Sequence, residues 1–332
     1  MSEAVETQTI DPEIGQPGMD PLPPVPPPVR APARALREPM HAVQEILPQD
    51  GGGDCGCGCG GSKKAGDCGC KRAGMRGFVY AVGTVQARFP SLSLEQEFRS
   101  AWGATHYSGP ISQADIYRVL SQGQNLYIAR EMCWVFQVED VDVYLLSPRS
   151  YVELSDLILA LAPSPTDVSL SLIVGPLGPA APPDLCNGLE LPIVTCNQVF
   201  YFTVREFIKS IIEHAERIGK TVTEEAAEQA FGILSQLLDN NGQTDEHRAV
   251  NYMAFRTLDI YVKETEVEAK GFKLANVQAQ PSRLSGTRRI VDVIFIYNNV
   301  KSNEVQQFFA RVDVTGQFPF LVTGLQPYFD RP

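Results

Sequence analysis

The chain has 332 residues, of which 44% are hydrophobic and 20% charged, enough apolar material for one large domain or two ordinary ones. The formal net charge of −11 argues against nucleic acid as a partner, because that binding needs a basic face. No apolar run approaches the roughly 18–20 residues of a membrane span, and no secretory signal opens the sequence. We therefore expect a cytoplasmic protein whose cysteines are thiols or metal ligands rather than disulfides.

The first 76 residues differ in composition from the rest. All 29 aromatic residues lie at or after Phe78, so the preceding segment cannot bury enough apolar surface to become ordered. Residues 1–50 are predicted to be a Pro-rich disordered tail, and residues 51–76 form a Gly/Cys-rich low-complexity tract. Thiolates at this density can bind a soft metal such as zinc, although a flexible tether or a modified segment is also consistent with the tract. The candidate ligands there are Cys55, Cys57, Cys59, Cys68 and Cys70.

Residues 77–205 show strand patterns interrupted by short helices. FVYAVGTVQARF, NLYIAREMCWVFQV and VDVYLLS are predicted strands, from their β-branched and aromatic content. Ser112 and Asp115 are placed to begin a short helix, and Val152–Leu161 predicts another. The strands DVSLSLIVG and LPIVTCNQVFYF flank a proline-rich loop over 175–188. Loops of this length are uncommon in compact domains and tend to be functional or disordered.

Residues 206–332 begin with helical periodicity and end with strands. A helix over 207–218, a second opened by Thr221 and Glu224, and a third over 245–260 are predicted. The segments KLANVQAQ, RRIVDVIFIY, QQFFARVDV and PFLVTGL then predict an antiparallel meander. The fold class is therefore α+β, a mixed or antiparallel sheet with a central helical segment and a C-terminal meander, over 77–332. Two subdomains, 77–205 and 206–332, are an alternative organisation.

Residues 77–332, called the body below, contain little that resembles known catalytic machinery. It contains three histidines, and none lies in a nucleophile elbow or other catalytic signature. No glycine-rich phosphate loop indicates a nucleotide cofactor. Of the histidines, only His106, in a predicted loop, is retained as a candidate ligand.

Three cysteines and three arginines are the remaining candidates. Cys133 and Cys196 lie in apolar runs, while Cys186 lies on the long loop. Three thiolates fall short of a closed zinc site, which His106 or the cysteines of a second chain in a homodimer would complete. Three arginines lie in or beside one predicted turn. Their guanidinium groups either bind an acidic peptide or form internal ion pairs with aspartates such as Asp292 and Asp313. They belong to Arg283, Arg288 and Arg289.

Long segments of the body resemble a known family. They include GFVYAVGTVQARFPSLSLEQEF, NLYIAREMCWVFQVEDVDVYLLSPR, GPLGPAAPPDLCNGLELPIV, TDEHRAVNYMAFR, PSRLSGTRRIVDVIFIYNN and RVDVTGQFPFLVTGLQPYFDR. From about residue 77 to 331 the chain resembles the C-terminal domain of unknown function shared by the PatA and PatG proteases of the patellamide (cyanobactin) pathway. Cys133 and Cys186 match family positions, so the resemblance makes these two the candidates for a shared metal or structural role.

The resemblance implies a role in the biosynthesis of ribosomally made, post-translationally modified peptides. The family's protease has no counterpart here, so no catalytic residue is carried over. We expect a non-catalytic accessory protein that recognises a precursor peptide or a partner enzyme. The alternatives are a metal-dependent peptide-modifying enzyme that uses Cys133, Cys186 and His106, and a fusion whose Cys/Gly tract is itself the modified substrate.

Overall fold

The structure is a computed structural model that describes residues 77–103, 109–164, 167–302 and 304–329. His106 and the candidate ligands of the Cys/Gly tract lie outside these residues, namely Cys55, Cys57, Cys59, Cys68 and Cys70. The described part of the chain is α+β, as predicted. No helix in it is long and apolar enough to cross a membrane.

Six strands form a mixed sheet in the first half of the body. Their bounds are β1 (Phe78–Arg88), β2 (Cys133–Val138), β3 (Val141–Pro148), β4 (Ser169–Ala180), β5 (Pro192–Cys196) and β6 (Gln198–Thr203). The strand order is β1-β2-β3-β5-β4-β6, and β1 also pairs with β4. These pairings close β1, β2, β3, β5 and β4 into a ring, with β6 paired to β4. Only β3 and β5 run parallel among the described pairs.

Two glycines allow strands of this ring to change partners. Residues of β1 up to Gly83 pair with β4, and those after it pair with β2. A Cβ atom at Gly83 would lie 2.1 Å from the carbonyl oxygen of Gln137, and one at Gly175 would lie 1.9 Å from that of Thr195. Only a residue without a side chain tolerates such an approach of two backbones.

Four helices cover one face of the first sheet. They are α1 (Leu92–Trp102), α2 (Gln113–Leu120), α3 (Leu126–Glu131) and α4 (Tyr151–Ala160). Phe98, Ile128 and Leu157 from these helices share one buried cluster with strand residues. Ser112 caps α2 and Asp115 bonds back to it, as the sequence predicts.

Two predicted elements of this half are corrected. The segment 125–132, expected to be strand, turns and forms α3, and β2 begins only at Cys133. The buried side chain of Asn125 donates to the Val119 carbonyl and turns the chain after α2. The predicted loop 175–188 is strand as far as Ala180, because β4 continues and pairs with β5.

Four helices follow the first sheet. They are α5 (Val204–Arg217), α6 (Glu224–Leu234), α7 (Asp245–Arg256) and α8 (Asp259–Glu268). The ring of Phe207 in α5 lies 5.6 Å from Phe231 in α6 and 5.3 Å from Tyr261 in α8, centroid to centroid. These aromatic contacts hold the three helices together.

Two sequence predictions in the helical segment differ from the structure. The cap of α6 is Thr223, whose side chain accepts from the Ala226 N–H, rather than Thr221. The single helix predicted over 245–260 is two helices, because Thr257 has non-helical backbone angles (φ −107°, ψ 83°).

The last four strands form the predicted antiparallel meander. They are β7 (Phe272–Pro281), β8 (Ile290–Asn299), β9 (Val305–Asp313) and β10 (Phe320–Pro327), in the order β10-β9-β8-β7. Helix α7 connects this sheet to the rest of the body through Arg248, which is 1% exposed. Its guanidinium donates to the carbonyl oxygens of Val314, Gly316 and Gln317 in the turn before β10.

A polar junction joins α7 and the segment before it to the first sheet. The N–H of Tyr80 in β1 donates to the Gly242 carbonyl at 3.0 Å, and the fully buried Asn251 amide donates to the Tyr80 carbonyl at 2.9 Å. The Tyr144 hydroxyl of β3 donates to the Asn241 carbonyl at 2.7 Å. The junction therefore fixes residues 239–242 beside the first sheet.

Candidate functional site

The candidate metal ligands of the body, Cys133 and Cys186, are bonded to each other. Their sulfur atoms lie 2.12 Å apart and their Cα atoms 5.6 Å apart. Disulfide sulfurs carry no thiolate charge, so in this state the pair is not a metal-ligand set. This corrects the expectation of free thiols drawn from composition. Within the described residues, no group of three or more His, Cys, Asp or Glu side chains is placed to hold a metal ion.

The disulfide attaches the end of the long loop to β2. Cys186, Asn187 and Gly188 all have positive φ, and the Asn187 amide donates to the Phe89 carbonyl at 3.0 Å. Cys133 and Cys186 are buried in a small apolar cluster with Val135, among others. The segment 181–191 is thus anchored to the sheet at Ala181, Cys186, Leu189 and Leu191, while most of its other residues are exposed.

Cys196 is buried without a sulfur partner. It is fully buried, and burial raises the pKa of its thiol to about 12. A thiol with that pKa stays protonated at neutral pH and is a poor nucleophile or ligand. Its environment is that of a small buried hydrophobic side chain, one of the two interpretations that the sequence allowed.

The three arginines of the predicted peptide-binding turn do not act as one cluster. Arg288 forms an ion pair with the buried Asp313. Arg289 pairs with Asp245 at 3.0 Å, in the first turn of α7. Arg283 is exposed on the same turn. Two of the three guanidinium groups therefore have carboxylate partners within the fold, and one of those partners, Asp313, is an aspartate that the sequence suggested.

A groove of about 470 Å³ lies on the first sheet, beside α6. Its apolar walls come from β1, the β2–β3 hairpin, β4 and the α6 region, through Val82, Val138, Val168, Leu170, Phe231 and Leu238. Its volume is within the range of about 300–1,000 Å³ that is typical of ligand sites. Elements that are distant in sequence thus converge on one concave apolar surface.

One end of this groove is acidic. Glu139 and Asp140 form the β2–β3 turn, with φ of 47° and 61°, and Asp239 lies opposite, after the 3-10 helix Ser235–Leu238. Partial burial of the Asp239 carboxyl raises its pKa, and the nearby Glu139 carboxylate raises it further. Gln137, beside the pair in the groove lining, is only 6% exposed, and its Oε1 has no hydrogen-bond partner.

Sequence reasoning did not find this site. Glu139 and Asp140 separate the predicted strands NLYIAREMCWVFQV and VDVYLLS, and the structure places them in the turn between β2 and β3. The signal that was available is the pair of acidic residues at the tip of a hairpin. That Asp239 meets Glu139 depends on the docking of residues 239–242 against β1 and β3, which no local pattern encodes.

The comparisons with known proteins identify part of the chain. Residues 219–328 match the family model described as PatG C-terminal. Over this segment, about a third of the chain, the sequence is similar to that family. Among solved structures, it is similar to one titled "PatG Domain of Unknown Function", with a TM-score of 0.60 and 17% sequence identity. That match covers 76% of this chain and 99% of the other, and it shows a shared fold. No match was found among curated proteins.

Proposed function

We propose that this PatG-type domain is a non-catalytic binding module in the biosynthesis of ribosomally made, modified peptides, and that it binds a peptide segment in the groove on the first sheet. The pathway assignment rests on the resemblance to the cyanobactin maturation proteins. The binding mode rests on one observation, the apolar groove of about 470 Å³ between the sheet and α6.

The groove suits a peptide better than the other candidate surfaces do. Its apolar walls can bury aliphatic side chains, which is the main source of affinity for a short flexible ligand. The arginine turn offers less, because Arg288 and Arg289 already have carboxylate partners. The metal-dependent alternative has less support as well, because Cys133 and Cys186 are bonded to each other.

A groove-filling substitution tests the proposal. Val168 lines the groove and is 61% exposed, so Val168→Trp should fill the groove without disturbing the core. The matched control is Val300→Trp, because Val300 is 65% exposed and lies outside the groove lining. The probe is the peptide acetyl-Leu-Leu-Lys-amide, titrated into the full-length protein by calorimetry.

We expect saturable binding at one site per chain, lost in Val168→Trp and retained in Val300→Trp. Binding that survives Val168→Trp would place the peptide elsewhere and contradict the proposal. The absence of saturable binding to the native protein would contradict it too.

A further inference from the structure

We propose that the disulfide between Cys133 and Cys186 is a redox-sensitive latch, and that its reduction by a dithiol releases the segment 181–191 from the first sheet. Release uncovers a row of apolar side chains on the outer face of that sheet. The segment lies outside the groove lining, so this inference goes beyond the proposed function and does not depend on it.

The segment 181–191 lies over an apolar row that crosses three neighbouring strands. Val135 in β2 is paired with Leu145 in β3, and Leu145 is paired with Ile193 in β5. The residues that alternate with this row, among them Trp134, belong to the main buried cluster of the first sheet, so the row faces the other way. Val135 and Leu145 are nevertheless buried, which requires a cover from outside the sheet.

Side chains of the segment supply that cover. The small cluster that contains the apolar row is completed by Cys133 and by four side chains of the segment, which are Ala181, Cys186, Leu189 and Leu191. Burial of the row therefore depends on the position of the segment. If the segment leaves the sheet, the row becomes exposed to water.

The tip of the segment has few attachments to the rest of the fold. At the base, the Ala181 N–H donates to the Leu191 carbonyl at 2.8 Å. In the described part of the chain, the backbone hydrogen bonds of residues 185–189 stay within the segment. Apart from apolar packing, the tip is held by the disulfide and by the hydrogen bond from the Asn187 amide to the Phe89 carbonyl. Of these attachments, the disulfide is the one that a change of redox state breaks.

The backbone of the tip favours release once the disulfide is broken. Cys186 and Asn187 have φ of 53° and 55°, in the left-handed region that residues with a Cβ atom seldom adopt. Such conformations persist where the surrounding contacts hold them in place. Without the bond to Cys133, the backbone of Cys186 is free to return to a negative φ, and the tip then leaves its position against β2.

The reduction is a thiol–disulfide exchange. A thiolate of the dithiol attacks the sulfur of Cys186, which is 9% exposed against 3% for Cys133, and the Cys133 thiolate leaves. The second thiol of the dithiol then displaces Cys186 and closes the disulfide of the oxidised reductant. Two electrons pass from the dithiol to the protein, and its two protons end on the two protein thiols.

Hydrogen–deuterium exchange of the full-length protein in two redox states tests the latch. Oxidised dithiothreitol prepares one state and dithiothreitol the other, and mass spectrometry after alkylation verifies the state of Cys133 and Cys186. The fluorescence of Nile red, a neutral apolar dye, reports exposure of the apolar row. The matched control is the double variant Cys133→Ala/Cys186→Ala. It keeps every other cysteine, so a redox response that remains in it belongs to those cysteines.

We expect residues 182–191 to exchange about tenfold faster in the reduced protein, with exchange in the strands of both sheets unchanged. Nile red fluorescence should rise on reduction and fall again on reoxidation. The double variant, shown by thermal unfolding to be folded, should have a released segment in both conditions. The comparison of the two states of the native chain stands on its own if the variant does not fold.

Three results would overturn the inference. Equal exchange of residues 182–191 in the two states, with both thiols demonstrated after reduction, would show that packing alone holds the segment. Faster exchange throughout β1–β6 would show that the bond stabilises the whole first sheet rather than one segment. Failure of the two cysteines to form the bond in oxidised dithiothreitol would remove the latch itself.

Discussion

Glu264 carries a buried carboxyl group whose ionisation affects the pH dependence of stability. Glu264 lies in α8 with no exposed surface. Its pKa is raised to about 7, mainly by burial and to a smaller extent by the nearby Glu268, and the Tyr297 hydroxyl offsets only part of the rise. The folded protein therefore holds this proton more tightly than the unfolded chain does, because an unfolded glutamate has a pKa near its ordinary value of 4.5.

Between pH 4.5 and about pH 7, the free energy of unfolding should depend on the protonation of Glu264. As pH rises from 4.5 towards 7, the unfolded chain loses the Glu264 proton first, so the free energy of unfolding should fall by about 1 kcal/mol per pH unit. Glu264→Gln should flatten this dependence and stabilise the protein at pH 8 by on the order of 2 kcal/mol. Urea unfolding from pH 4.5 to pH 8 measures both effects, and an unchanged slope in the variant would contradict the raised pKa.

At the scale of elements, the contact between β1 and the segment before α7 positions one side of the groove. Gly242 has a φ of 64°, and a Cβ atom there would lie 2.2 Å from the Tyr80 carbonyl oxygen. Gly242→Ala should therefore separate this segment from β1 and lower the free energy of unfolding by on the order of 3 kcal/mol. The measurement is denaturant unfolding of the full-length variant.

A second glycine provides the matched control. Gly232 lies within α6, and a Cβ atom there would have no atom within 4 Å. Gly232→Ala should raise the free energy of unfolding by about 0.5–1 kcal/mol, because alanine has the higher helix propensity. Equal effects of the two substitutions would show that the Gly242 contact is not specific.

The disulfide between Cys133 and Cys186 connects two other elements, β2 and the segment 181–191. Peptide mapping of native, unreduced protein should recover these residues as one crosslinked species, with Cys196 alkylated only after unfolding. Reduction should lower the free energy of unfolding by about 2–4 kcal/mol, because the bond closes a long chain loop. Free thiols at both positions together with bound zinc would contradict this assignment and restore the metal-ligand prediction.

The elements predicted correctly are those whose signals are local. The Ser112–Asp115 capping box fixes the start of α2, and alternation along the last strands fixes the meander. Helix α3 was mistaken for strand because LYIARE is a short apolar run, where helix and strand periodicity cannot be separated. The closed ring of strands and the contact between Glu139 and Asp239 depend on tertiary packing, so the candidate groove was not accessible from the sequence.

At the scale of the whole molecule, the groove is where the two halves of the body meet in one candidate binding surface. Its lining includes Val82 and Glu139 from the first half and Phe231 and Asp239 from the second. A formal net charge of −11 also favours a basic ligand over an acidic one. The apolar walls make an apolar peptide the expected partner of this surface.

Hydrogen–deuterium exchange of the full-length protein, with and without saturating acetyl-Leu-Leu-Lys-amide, locates the segments that a bound peptide protects. If the peptide binds in the groove, it should slow exchange in residues 137–141 and 235–243 of the native protein. The same peptide should not slow exchange there in the Val168→Trp variant. Slower exchange confined to the β7–β10 sheet, the arginine turn or the segment 181–191 would contradict it.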